Sequence, residues 1–167
     1  DPQETAVAEP GAFMMMDDGI QMQTIFGDGS HQQDNSLLSK LFSAGKRLLV
    51  GENLFMTAFT NASQGKKHVS FASPYPGKIV PLNLQQHGGR IICQKDAFLC
   101  AAKGVNIGIE FQRRLGTGLF GGEGFIMEKL EGDGMAFMHA GGYVFEKNLQ
   151  PGELLKIDTG CIVAFTG

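Results

Sequence analysis

Apolar and polar positions alternate in short bursts along this chain, and glycine or proline closes nearly every burst. Residues 12–16 read as a strand, Asp17-Asp18-Gly19 as a turn, and 20–25 alternates with a period of two, which predicts a β-hairpin. Further strands are predicted at 54–61, 69–72, 79–84, 90–93, 97–102 and 105–111, then at 124–129, 135–140, 143–146, 154–157 and 162–165. One stretch breaks the period. Leu37, Leu38, Leu41 and Phe42 form a helical stripe that Asn35 or Ser36 can cap and Gly45 can end, so a short helix is expected near residues 36–44. A helix of that length is not stable alone and should pack on a sheet. Short strands punctuated by turn residues argue for an all-β sandwich or barrel.

The pattern also repeats. Gly51-Glu52-Asn53-Leu54-Phe55-Met56 returns 71 positions later as Gly122-Glu123-Gly124-Phe125-Ile126-Met127. Pro76-Gly77 and Asp96 come after the first copy, and Pro151-Gly152 and Asp158 come after the second in the same order. Such a period indicates one supersecondary unit copied so that two apolar faces close on each other. The expectation is a single β domain over 1–167, made of related units at about 1–111 and 112–167. Gly51, Glu52, Pro76, Gly77, Gly122, Glu123, Gly124, Pro151, Gly152 and Asp158 are assigned to its repeat turns. There glycine takes backbone angles closed to other residues, and a carboxylate accepts from turn amides.

Composition narrows the partners. The 167 residues are 43% apolar, enough for a sizeable core, and 24 scattered glycines fit many turns but no collagen triplet. A net charge of −3 gives no field for a phosphate backbone, so nucleic acid is disfavoured as a partner. Cys93, Cys100 and Cys161 lie in apolar runs without framework spacing and are expected to be buried, reduced thiols of a cytoplasmic protein. No apolar run reaches a membrane span, although peripheral membrane association stays compatible with the sequence.

Several motifs together resemble a known family. Ala8-Glu9-Pro10-Gly11-Ala12 with Met16-Asp17, Gly51-Glu52 before Phe55, Pro76-Gly77 with Ile79, Gly122-Glu123-Gly124-Phe125 with Gly132-Asp133-Gly134, and Ile157-Asp158-Thr159-Gly160 before Val163-Ala164-Phe165 span nearly the whole chain. The combination resembles the altered inheritance of mitochondria protein 24 family, found in bacteria and fungal mitochondria. That resemblance implies a double-stranded β-helix related to the tryptophan RNA-binding attenuation protein, assembled as a homo-oligomer and without known enzymatic activity. In mitochondrial members it implies a part in inner-membrane organisation. It also implies a further strand before Asp1 and a third copy of the unit beyond Phe165, so the chain is expected to be either a shorter member or one whose ends were removed.

Candidate chemistry is sparse. A cupin-like site needs convergent histidines and a carboxylate; His31 and His87 stand in predicted loops, which leaves His68 and His139, also 71 apart, as weak metal candidates. Glu52 and Glu123 are better read as turn acceptors than as a catalytic carboxylate pair. The glycines at 116–124 precede a strand rather than a helix, so they are no phosphate cradle, and no Gly-x-Ser-x-Gly elbow occurs. No catalytic residue, metal or cofactor is expected. The sequence therefore predicts a non-enzymatic scaffold or binding module that self-associates, with Phe13 and Met15, or Met14 and Met16, at the subunit contact. The alternative is a cupin-like small-molecule or metal-binding enzyme that uses the barrel interior.

Overall fold

The run Phe98-Leu99-Cys100-Ala101 is apolar at every position, whereas a strand with one wet face would alternate. All four side chains are buried. They belong to the middle of an antiparallel sheet covered on both faces, in a computed structural model that describes residues 1–26, 55–113 and 125–166.

The described strands are β1 (Thr5–Ala8), β2 (Phe13–Met16), β3 (Ile20–Phe26), β4 (Phe55–Asn61), β5 (Val69–Phe71) and β6 (Lys78–Asn83). They continue with β7 (Arg90–Gln94), β8 (Phe98–Ala102), β9 (Asn106–Arg113), β10 (Phe125–Glu131), β11 (Met135–Ala140) and β12 (Ala164–Phe165). One sheet has the order β3-β4-β1-β8-β11-β6, a second β12-β7-β10-β9, and β2 pairs with β5 as a separate ribbon. The class is all-β, as the periodicity predicts. No described helix is long and apolar enough to cross a membrane.

Two cores use the first sheet as a common wall. Val7, Met56, Phe98 and Met138 on one face meet Ile91, Cys93, Ile107 and Leu130 of the second sheet. On the other face Ala8, Phe59, Leu99 and Cys100 meet Ala12, Val69 and Phe71. The Phe59 ring is stacked on Phe13 at 5.5 Å and meets Phe71 edge-on at 5.1 Å. Opposite β11, Phe137 pairs with Cys100 and Met138 with Phe98, so Leu99 is an extra residue in the ladder. That bulge turns Leu99 and Cys100 into the same small core.

Four expectations need correction. The strands on either side of Asp17-Asp18-Gly19 form, but not as a hairpin: β2 pairs with β5, and β3 pairs with β4. Alternation specifies a half-buried strand without choosing its partner, and Gly19, at φ +92°, passes the chain from the ribbon to the sheet. Residues 143–146 and 154–157 are not strands, since no described strand pairs with them; Tyr143 and Leu154 are 83% and 81% exposed. The predicted strand at 162–165 shrinks to β12, which pairs with β7. Finally, Cys93 and Cys100 are buried, but Cys161 is exposed on a short 3-10 turn, Thr159–Cys161.

The predicted helix near 36–44 and the motif residues Gly51, Glu52, Gly122, Glu123 and Gly124 lie outside the described residues. The strands immediately after the two motifs are comparable. β4 returns along β3 with Phe55 opposite Phe26, and β10 returns along β9 with Phe125 opposite Arg113. The resemblance stops there: Pro76-Gly77 leads into β6, whereas Pro151-Gly152 opens an irregular turn held by a Lys147–Glu153 ion pair.

Gly77 has a steric reason to be glycine, because a Cβ there would collide with the Ala140 carbonyl where β6 meets the end of β11. Gly77→Ala is expected to cost ~1–3 kcal/mol in urea unfolding. Gly65→Ala, which meets nothing within 4 Å, should unfold like the wild type.

Candidate functional site

Three neighbouring strands of the first sheet bring their ends to one place. Ala8 of β1 pairs with Cys100, and Met138 of β11 pairs with Phe98, so the residues just beyond these pairs, Glu9, Asp96 and His139, surround the start of β8. The Glu9 amide donates to the Leu99 carbonyl at 3.1 Å, which ties that corner to the strand. Lys95 and Asp96 belong to a 3-10 turn, Lys95–Ala97, that feeds β8. Glu9, Asp96 and His139, together with Tyr75, border a cavity of about 360 Å³ against Phe98 and Leu99.

Carboxyl groups outnumber cations here. Lys95 Nζ lies 3.4 Å from Glu9 Oε1 and 3.9 Å from Asp96 Oδ1. Burial pushes the Glu9 carboxyl up from its ordinary range, and Lys95 opposes the shift. Behind the turn, β10 carries Glu128, which is 0% exposed and has no hydrogen-bond partner among the described residues for either carboxylate oxygen. Burial, then the charge of Glu9, raises Glu128 to about 8, with Lys95 opposing. A buried carboxylate without donors is far less stable than the neutral acid, so at neutral pH this group is mostly protonated. Cys93 faces it across the β7–β10 ladder, and burial followed by the Glu128 charge drives that thiol well up.

His139 is 4% exposed, and burial lowers its pKa against the pull of Asp96. Its tautomer is assigned from the hydrogen bonds of its neighbours. Ser73 Oγ spends its one proton on the Tyr75 carbonyl at 2.8 Å, so in the 3.3 Å contact His139 Nδ1 is the donor and Ser73 Oγ the acceptor. Nε2 is then an unprotonated acceptor. The Tyr75 ring meets the imidazole edge-on at 5.1 Å.

The two candidate histidines share no partner. His68 is exposed, with Nδ1 3.1 Å from Asp17 Oδ2, whereas His139 belongs to the cavity. Among the described residues no group of three His, Cys, Asp or Glu could hold a metal ion. Of the described motif residues, Pro76 and Gly77 precede β6, Gly152 takes φ +82° after the exposed Pro151, and Asp158 Oδ2 accepts from the Gly160 amide at 3.0 Å.

Sequence reasoning gave no role to Glu9, Ser73, Tyr75, Lys95, Asp96 or Glu128. Glu128 does leave a trace, because it occupies the strand position between Ile126 and Leu130, both buried. A glutamate in an apolar row of period two signals either an outward face or a buried acid. Only the second sheet's position decides which.

The sign of the Glu128 linkage is defined. Its folded pKa of about 8 lies above the ordinary 4.5, so its contribution to stability is fully present below pH 4.5 and is lost as pH rises through 8. The loss should be on the order of 4 kcal/mol. Glu128→Gln, with a buried amide that cannot titrate, should start less stable and lose much less between about pH 5 and about pH 9 in urea unfolding.

No curated protein matches the chain. A Streptococcus pyogenes protein, solved by X-ray crystallography in a structural-genomics programme, shares the fold with a TM-score of 0.56 and 19% identity. The likeness covers 85% of this chain and 57% of that one, so the chain spans just over half the length of its structural relative. The family model for mitochondrial biogenesis AIM24 matches residues 1–167, spanning all the motifs and strands of the fold, and the chain belongs to that family.

Proposed function

We propose that the chain is a non-enzymatic β scaffold whose second copy docks on the apolar surface of β2 and the neighbouring edge strand β3. The observation that carries this reading is the exposure of β2. All four of its side chains are exposed, with Met14 and Met15 at 59% and 58%, and Met22 adds to them on β3. Among the described residues β3 is an edge of the six-stranded sheet, so its free backbone groups can accept another strand. Methionines adapt to such a contact because their side chains are unbranched and polarisable. Four exposed apolar side chains in succession on one strand are costly in water unless something covers them.

The chemistry of the cavity supports a role other than catalysis. Ser73 is the hydroxyl next to a histidine, but its proton is committed to the Tyr75 carbonyl and its oxygen is an acceptor, the wrong polarity for a nucleophile. Cys100 is pushed up to about 12 by burial, which removes the thiolate. The cupin-like alternative needs convergent ligands that no described group provides. Three free cysteines favour a reducing compartment such as the cytoplasm, and the net charge of −3 favours a protein over a nucleic acid as partner. Within its family the chain would serve mitochondrial biogenesis, or its bacterial counterpart, by assembly rather than by turnover.

Analytical ultracentrifugation tests this. The wild type should sediment as an oligomer, and Met14→Asp or Met15→Asp should raise its dissociation constant at least about tenfold, with an unchanged circular dichroism spectrum. Wild-type protein that stays monomeric, or variants that assemble like it, would reject the reading.

A further inference from the structure

The cavity at the start of β8 has a one-sided hydrogen-bonding character. Glu9 and Asp96 present carboxylate oxygens, which only accept, and His139, with Nδ1–H given to Ser73, offers a lone pair at Nε2. Nε2 bonds to no described residue. With the His139 Nδ1–H given to Ser73, the Tyr75 hydroxyl is the one side-chain donor left among the described lining residues. An occupant must therefore bring donors of its own. Phosphate, sulfate or a carboxylate would bring further acceptors and negative charge.

Charge points the same way. Glu9 and Asp96 share a single ammonium, that of Lys95, which lies within 4 Å of both. Glu128, buried behind them and mostly protonated at neutral pH, adds to the negative charge only when it ionises. A second cation in the cavity would relieve this excess and lower the cost of ionising the carboxyls. Size and lining add a third constraint. A volume of about 360 Å³ suits a compact organic molecule, and Phe98, Leu99 and Ala12 give it an apolar floor. Tyr75, half exposed at the rim, adds an aromatic ring that attracts cations.

We propose that this cavity binds a small organic molecule with one protonated amine on an apolar body, the ammonium held by Glu9, Asp96 and His139 Nε2. Three N–H donors then meet three acceptors, and the body of the ligand lies against Phe98 and Leu99. A bare metal ion would leave the apolar floor unused and lacks a described ligand set. Binding there needs no second copy of the chain, so it stands or falls separately from self-association.

The test compares three probes of similar shape, phenethylammonium, 2-phenylethanol and phenylacetate, in titrations of the whole ¹⁵N-labelled chain followed by NMR. Phenethylammonium should produce saturable shifts at the amides of Glu9, Asp96 and His139 with a dissociation constant near ~1 mM. The alcohol and the carboxylate should bind at least about tenfold more weakly, the worth of one charge-assisted contact. Asp96→Asn, at an exposed position that the fold tolerates, should weaken the ammonium by about tenfold, and Glu9→Gln by as much. Equal response to all three probes, no saturable response to the ammonium, or full affinity in both variants would overturn the proposal.

Discussion

A sheet whose central strands have no wet face is the constraint on which the rest of this structure depends. β1 and β8 lie at its centre, and successive residues along them, Val7 and Ala8 or Phe98 and Leu99, point into different cores. Each face must be apolar, and each core needs its own cover: the second sheet on one side and the β2–β5 ribbon on the other. Burying side chains of this size contributes ~1.5–3 kcal/mol apiece, so the two covers are held by the same short strands that they hide. The bulge at Leu99 adjusts the wall locally, adding one side chain to the smaller core without breaking the ladder.

The same arrangement makes the acidic cavity. Adjacent antiparallel strands put the exit of β1, the entrance of β8 and the exit of β11 side by side, so Glu9, Asp96 and His139 converge although they are far apart in sequence. The irregular residues at these ends carry the polar groups, while the strands behind them supply the apolar floor. Glu128 lies behind the cluster on β10 of the second sheet. Its burial without a donor opposes folding at alkaline pH, and a fold stabilised chiefly by apolar contact would do better with a leucine there. That cost is consistent with a use for excess carboxyl groups beside Lys95.

Legibility differed by type of feature. Strands with a sharp period and closing glycines, such as β11, were readable to the residue, and β8 was readable as a run without alternation. β1, Thr-Ala-Val-Ala, carries little signal because two of its four residues are alanine, yet it is central to the first sheet. Residues 143–157 show the opposite failure. Their apolar residues looked like strands, but a strand requires a partner and the described chain offers none there. Of the cavity, Glu9 and Asp96 stood in recognisable motifs without a visible role, and Glu128 looked like any strand glutamate.

By itself the sequence determined the β class, most strand positions, the family, and the lack of a conventional catalytic motif, because these follow from local periodicity, turn chemistry and short motifs. Tertiary structure alone decided that β2 leaves β3 for β5, that Cys161 is exposed while Cys93 is not, and that Glu9 joins Asp96 at Lys95 with Glu128 buried behind them. The reason is physical. A strand's own residues fix which of its faces is apolar, but pairing and burial depend on what the rest of the chain brings to each face, and long-range pairing leaves no mark within the strand itself.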